Sequence, residues 1–230
     1  MTSPGLARPN YTVAPLPTVP AMDGRTDGAW AGIVPLEITH FHARSSAHRP
    51  QTRVWVGYQP QALHLLFHVE DRYVRCVHTH PQDSVCRDSC VEAFLQPTLA
   101  GYFNFEINCG GTLLLYYITD PSRSPEGSFR GRQVLTPDDL ALVQIAHALP
   151  ARVEPERAEP LSWWVQACIP LALLERYAGP LRVAPGVAWR ANFYKCADDT
   201  SMPHWASWSP IGPKLNFHCP EYFGELHFTD

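Results

Sequence analysis

The sequence predicts an all-β protein, an antiparallel β-sandwich of roughly nine to eleven strands with few short helical turns. Three observations carry that expectation. Prolines number 23 among 230 residues and glycines 14, a density of chain breakers that disfavours long helices. Apolar and polar residues alternate with a period of two in several short stretches. Those stretches are bounded by Pro, Gly, Ser and Asn clusters of the kind that join strands. Hydrophobic residues at 45% exclude a disordered chain.

Taken in order, residues 1–22 read as a proline-rich arm with little periodicity, extended over the surface. Residues 23–230 read as a single domain. Asp23 to Trp30 (DGRTDGAW) forms an acidic turn that ends on an aromatic anchor. From Thr52 onwards strands follow. Leu63, Leu65, Phe67 and Val69 alternate with His64, Leu66, His68 and Glu70, and Val91, Ala93 and Leu95 alternate with Glu92, Phe94 and Gln96. The cleanest alternation sets Phe103, Phe105 and Ile107 against Tyr102, Asn104, Glu106 and Asn108. Gly110-Gly111 supplies positive φ angles for a hairpin, and Thr112 to Ile118 returns as a nearly continuous apolar strand. Thr119 to Asp139 reads as a long loop, and the segment holding Pro150, Pro155 and Pro160 as a turn or linker between strands Leu142–Leu149 and Ser162–Ile169. A helical turn or two follows Pro170. Strands at Trp189–Cys196, with Arg190, Asn192 and Tyr194 on the polar side, and at Glu225–Phe228 close the domain. Trp30, Trp55, Trp163 and Trp189 fall at core positions.

Charge narrows the function. The net charge is −4 with no block of like sign, which argues against nucleic-acid binding by phosphate neutralisation. No apolar run approaches the 18 residues or so of a membrane span, and Met1 to Asn10 lacks the apolar stretch of a secretory signal. The chain as given therefore reads as cytoplasmic, or as extracellular if a signal has been removed. Seven scattered cysteines suggest reduced thiols.

Paired as a hairpin, the 91–96 and 102–108 strands set Phe94 opposite Asn104 and Glu92 opposite Glu106, about 5 Å apart at Cβ. Carboxylates so placed repel unless a cation, a shared proton, an arginine such as Arg190, or a ligand rich in hydroxyls lies between them. Asn104, Asn108, Gln96 and Tyr102 share that face, and such a mixture suits a sugar. An ordinary solvated face with the two glutamates apart is the plainer reading of the same alternation. Trp205 and Trp208 sit in a loop (HWASWSP) where flat rings can serve binding or packing. Cys76, His78 and His80 alternate as a zinc site could use, with Cys86 and Cys90 close by in sequence. The motifs GxSxG, HExxH, GxGxxG and the P-loop do not occur. Glu92 and Glu106 could in principle serve as a glycosidase pair.

These stretches resemble the family 9 carbohydrate-binding modules, which are DOMON-like, jelly-roll-like β-sandwiches. The matching segments are DG and DGAW between Asp23 and Trp30, DSCVEAF ending at Phe94, YFNFEIN over 102–108, WVQACIP over 164–170, WRANFY over 189–194, SWSP over 207–210 and FHCPEYFG over 217–224. The resemblance implies sugar binding without catalysis, at the end of an oligosaccharide or polysaccharide of the xylan or cellulose type, in partnership with a glycoside hydrolase. It assigns the binding glutamate to Glu92. It places the two clamping tryptophans near Cys86 and Phe217, neither a tryptophan here, and a binding arginine near Glu106. Phe217 can still stack, and Trp205 or Trp208 could substitute. The expected ligand-binding set is thus Glu92, Asn104, Glu106, Asn108, Arg190, Trp205, Trp208, Phe217 and His218. The resemblance also implies structural calcium, for which Asp23 and Asp27 are candidates. Relatives with this sandwich bind haem b and carry electrons, with Met, His or Lys as axial ligands, for which Met22, Met202 and His218 are the candidates here. A protein-interaction module without a sugar site is the third alternative.

Overall fold

Period-two alternation resolves, in the computed structural model of the chain, into two β-sheets packed face to face; residues 8–230 are described. The strands are β1 (Asn10–Pro15), β2 (Leu36–Glu37), β3 (His40–Phe41), β4 (Gln51–Gln59), β5 (Ala62–Asp71), β6 (Val74–Cys76), β7 (Cys90–Thr98), β8 (Gly101–Asn108), β9 (Leu113–Arg123) and β10 (Phe129–Val134). After a short helix α1 (Pro137–Leu140) come β11 (Gln144–His147), β12 (Val153–Arg157), β13 (Leu161–Pro170), helix α2 (Leu171–Ala178), β14 (Ala188–Ala197), β15 (His204–Ser207) and β16 (Gly224–Phe228).

The first sheet runs β10-β9-β8-β7-β14-β16-β1 and the second β1-β4-β5-β13-β11. Strand β1 belongs to both. Asn10 to Val13 lie parallel to Glu225 to Phe228 of β16, and Ala14 and Pro15 then pair with Gly57 and Tyr58 of β4. This corrects the expectation of a surface arm over 1–22, of which residues 1–7 lie outside the described residues. The stretch is extended, but residues 10–15 stitch the sheets together. Only Val13 of this strand is fully enclosed, so no alternation announces it.

Among the described residues sixteen strands replace the nine to eleven expected. The surplus is short or solvated: β2 and β3 have 2 residues each, and β12 pairs with β6 in a separate two-stranded sheet within the segment read as a linker. The loop expected over 119–139 is mostly a ribbon of β9 and β10. Its residues are largely exposed, so no apolar stripe marks it.

The interior is built from one parity of each strand. Val54, Val56, Leu63, Leu65 and Phe67 of the second sheet meet Val91, Ala93, Leu95, Phe103, Phe105, Ile107 and Phe193 of the first. Trp30, Trp55, Trp163 and Trp189 are buried as expected. The opposite parity of β7, β8 and β14 therefore turns outward. It is not bare: Ile211, Leu215, Phe217 and Phe223 cover Phe94, Tyr102, Ile118 and Tyr194. A polar strand face is thus partly roofed by the chain between β15 and β16.

Register on this face rests on the β8–β9 turn. Only Gly111, not Gly110, has positive φ, at 84°, and a Cβ there would stand 2.3 Å from His147 Cδ2. Gly111→Ala is expected to destabilise the fold by about 1–3 kcal/mol, through the left-handed backbone and the clash together. Urea unfolding checks this; a cost below a few tenths of a kcal/mol would contradict it.

Candidate functional site on the outer face

Strand pairing sets the two carboxylates where the alternation places them. Glu92 is the cross-strand partner of Glu106, and Phe94 of Asn104. Both glutamates line an open pocket of about 390 Å³ with Arg44, Cys86, Cys196, Asp198, Trp205, Asn216, Phe217 and His218. Glu92 is 3% and Glu106 6% exposed, so they form its floor rather than its rim. Among the described residues no ion pair involves either one.

Burial without a cationic partner dictates their chemistry. Desolvation raises both carboxyls, Glu106 from the ordinary 4.5 to about 7 and Glu92 well above the same ordinary value, with the charge on Glu106 raising it further. The pair therefore titrates as a unit and retains a proton near neutrality. Asn104 Nδ2 donates to Glu106 Oε1 at 2.8 Å while its Oδ1 accepts from the Tyr116 N–H at 2.8 Å, fixing the carboxyl on the sheet. The Cys196 thiol donates to Glu92 Oε1 at 3.1 Å.

The aromatic wall is equally fixed. Phe217 stacks on Tyr194 with ring centroids 4.1 Å apart and planes 13° from parallel. Trp205 Nε1 donates to Asp198 Oδ1 at 2.7 Å. His218 packs against Phe94 and Phe129, and its Nδ1 lies 2.9 Å from the Tyr102 hydroxyl. Burial and nearby Arg123 lower His218 to about 3, so the ring is neutral. With the tyrosine donating, its proton sits on Nε2.

Of the nine expected ligand-binding residues, the structure brings Glu92, Glu106, Trp205, Phe217 and His218 to one pocket. Asn104 stands behind them as the residue that orients Glu106. Three lie elsewhere. Asn108 is fully buried and holds His78 O, Asp88 Oδ2 and the Thr112 N–H. Arg190 shares the outward parity but sits opposite Gln96 and donates to Pro220 O. Trp208 points inward, its ring 5.9 Å from Phe193. Its place in HWASWSP does not reveal that it follows a strand whose parity faces the core.

Sequence reasoning missed Arg44, Asp198 and Cys196. The signal for two of them was present: the outward parity Asn192, Tyr194 continues to Cys196 and Asp198. Arg44 arrives from the loop after β3, which sequence alone does not locate.

The expected zinc ligands do not converge. Cys76 is in the core and donates to Ala151 O, His78 faces Asp88, and the His80 side chain is 86% exposed. All seven cysteines are free. The acidic turn does not present a calcium cage. Arg25 donates to both oxygens of Asp27, and the Arg25 N–H occupies Asp23 Oδ1; a calcium ion would have to displace that guanidinium. Of the haem candidates, Met22 and His218 lie against different sheets. The neighbours of Met22, Ala21 and Gly24, are held by Gln166 of β13 in the second sheet, whereas His218 covers the first.

A β-sandwich with a roofed acidic and aromatic pocket on one outer sheet face defines a ligand-binding module. Residues 27–228 match carbohydrate-binding family 9, and the chain belongs to that family. A comparison with curated proteins finds no match. Among solved structures, the chain is similar to a protein from Bacteroides uniformis ATCC 8492 provisionally described as carbohydrate-binding, at 26% identity and a TM-score of 0.82, over 96% of this chain and 100% of that one. A family 9 module from Caldicellulosiruptor kristjanssonii in complex with cellotriose shares the fold at 14% identity and a TM-score of 0.64, over 96% of this chain and 94% of that one. The same kind of module from that organism in complex with glucose gives 14% identity and a TM-score of 0.63, over 96% and 95%. No helix is long and apolar enough to cross a membrane among the described residues.

Proposed function

We propose that the outer-face pocket binds the end of an oligosaccharide or polysaccharide without cleaving it. The carrying observation is the Glu92–Glu106 pair, set side by side at the floor of an open pocket walled by Trp205 and Phe217. A half-protonated carboxyl pair both donates and accepts, which matches sugar hydroxyls that do the same. Flat rings match the C–H face of a pyranose. Family membership and neighbours solved with cellotriose and glucose support the same ligand class. The two positions that the family resemblance assigns to clamping aromatics, Cys86 and Phe217, both line this pocket. A link to breakdown of xylan- or cellulose-type chains, through a glycoside hydrolase partner, rests on that resemblance.

The pocket is open and the sugar hydroxyls exchange their hydrogen bonds with water, so binding is weak, with Kd near the millimolar range and about −4 kcal/mol of free energy. Calorimetry against cello- and xylo-oligosaccharides tests it. Trp205→Ala and Phe217→Ala are each expected to weaken binding about tenfold, the worth of a stacked ring. No heat with any sugar at millimolar concentration would overturn the reading in favour of a protein-interaction sandwich. A Soret band in the purified protein would point instead to haem.

A further inference from the structure

Below the carboxylate pair the same outward parity carries two thiols. Cys90 and Cys196 are direct cross-strand partners on β7 and β14. Both are buried, Cys90 at 0% and Cys196 at 1% exposure, and both pack against Val85 and Leu114. Their sulfurs and a Glu92 carboxylate oxygen lie within 4.8 Å of one another. A tetrahedral zinc ion with bonds of about 2.0–2.3 Å holds its ligand atoms within about 4 Å of each other, so rotamer-scale movement closes the set. Glu92 supplies an independent sign that something is to be held. It is a nearly buried acid at the floor of an open pocket, and among the described residues its only hydrogen-bond partner is the Cys196 thiol and no basic group pairs with it.

We propose that Cys90, Cys196 and Glu92 bind a thiophilic divalent cation of the zinc class at the floor of the pocket. Glu106, the Cys86 thiol or a water completes four-coordination, since the first two line the same pocket. Soft sulfur donors select zinc-type ions over calcium or magnesium. Uptake releases the two thiol protons and the carboxyl proton, so affinity rises with pH. The pocket mouth is the entry path. No redox step is involved, and oxidation of Cys90 and Cys196 to a disulfide would block the site.

The test uses the full chain, reduced and stripped with chelator, titrated with cobalt(II) or zinc(II). Expected results are one metal per chain by native mass spectrometry and a thiolate-to-cobalt charge-transfer band. Cys90→Ser and Cys196→Ser should abolish the band. Cys168→Ser, which alters a half-buried thiol on β13 in the other sheet, should leave it intact. Should a serine variant fail to fold, Glu92→Gln keeps the shape and is expected to weaken binding about tenfold or more. The absence of the band at equimolar cobalt, or its persistence in both serine variants, would overturn the assignment. Metal uptake is read without sugar, and sugar binding with chelator present, so either can fail alone.

Discussion

Asp71→Ala is expected to cost about 3–5 kcal/mol of stability, the cost of leaving a buried charge without its partner. That corresponds to a fall of about 6–20 °C in Tm for a chain of this size. The Lys195 and Asp71 side chains are both 0% exposed, with Nζ 3.4 Å from Oδ2. His48 meets Asp71 Oδ1 at 2.7 Å, and Trp163 Nε1 donates to Oδ2 at 3.2 Å. Lys195 also donates to Cys196 O at 3.0 Å and to His204 Nε2 at 2.8 Å. Burial opposes the charge on Asp71, yet Lys195 and His48 together hold its carboxyl below the usual range. Burial and Lys195 lower His204 to about 3, so this ring stays neutral and accepts. Lys195 lies on the inward parity of β14, while its neighbour Cys196 lines the pocket and its neighbour Tyr194 backs the Phe217 ring, so the network anchors the strand that floors the site. The double variant Asp71→Ala/Lys195→Met should recover much of the loss, because no lone charge remains. A single-variant cost under about 1 kcal/mol would show that the pair is dispensable.

Glu106→Gln should stabilise the protein, and only above acid pH. A carboxyl whose folded pKa is raised from 4.5 to about 7 binds its proton more tightly folded than unfolded. The parent therefore loses stability as pH rises from about 4.5 to about 7. Glutamine keeps the oxygen that accepts from Asn104 and removes the ionisation. The variant and parent should be about equal near pH 4, and the variant more stable by on the order of 3 kcal/mol at pH 8. His204 and His218, lowered to about 3, contribute the opposite slope below pH 6.5, but equally to both proteins, so the difference reports the coupled Glu92–Glu106 pair. Denaturant unfolding at pH 4, 6 and 8 checks the trend; a gap that does not widen with pH would contradict the buried-pair account. The same substitution should weaken sugar binding, separating what the site needs from what the fold prefers.

The strongest signals in the sequence were those with an unbroken period of two. The 91–96 and 102–108 stretches gave both strands and their register, and hence the opposed glutamates, because a one-residue slip would have turned Phe103 and Phe105 out of the core. Where one face is not buried the signal fails. Strand β10 and the outer half of β9 are solvated on both sides, and β1 changes sheets after four residues. The site was legible in its floor and less so in its walls. Glu92, Glu106, Trp205, Phe217 and His218 converge, but Asn108 is held by Asp88, and Arg190 lies beyond the pocket end. Whether an outward polar group reaches a ligand depends on what covers it, and the 208–223 segment is positioned by long-range packing against Phe94 and Tyr194, which alternation does not encode.

A crystal of the full chain soaked with cellotriose tests the central claim most directly. The account predicts one terminal sugar ring on the outer face of the first sheet, its hydroxyls on Glu92 and Glu106 and its C–H face against Phe217 or Trp205. A sugar bound elsewhere on the sandwich, or an unoccupied pocket at saturating cellotriose, would contradict it.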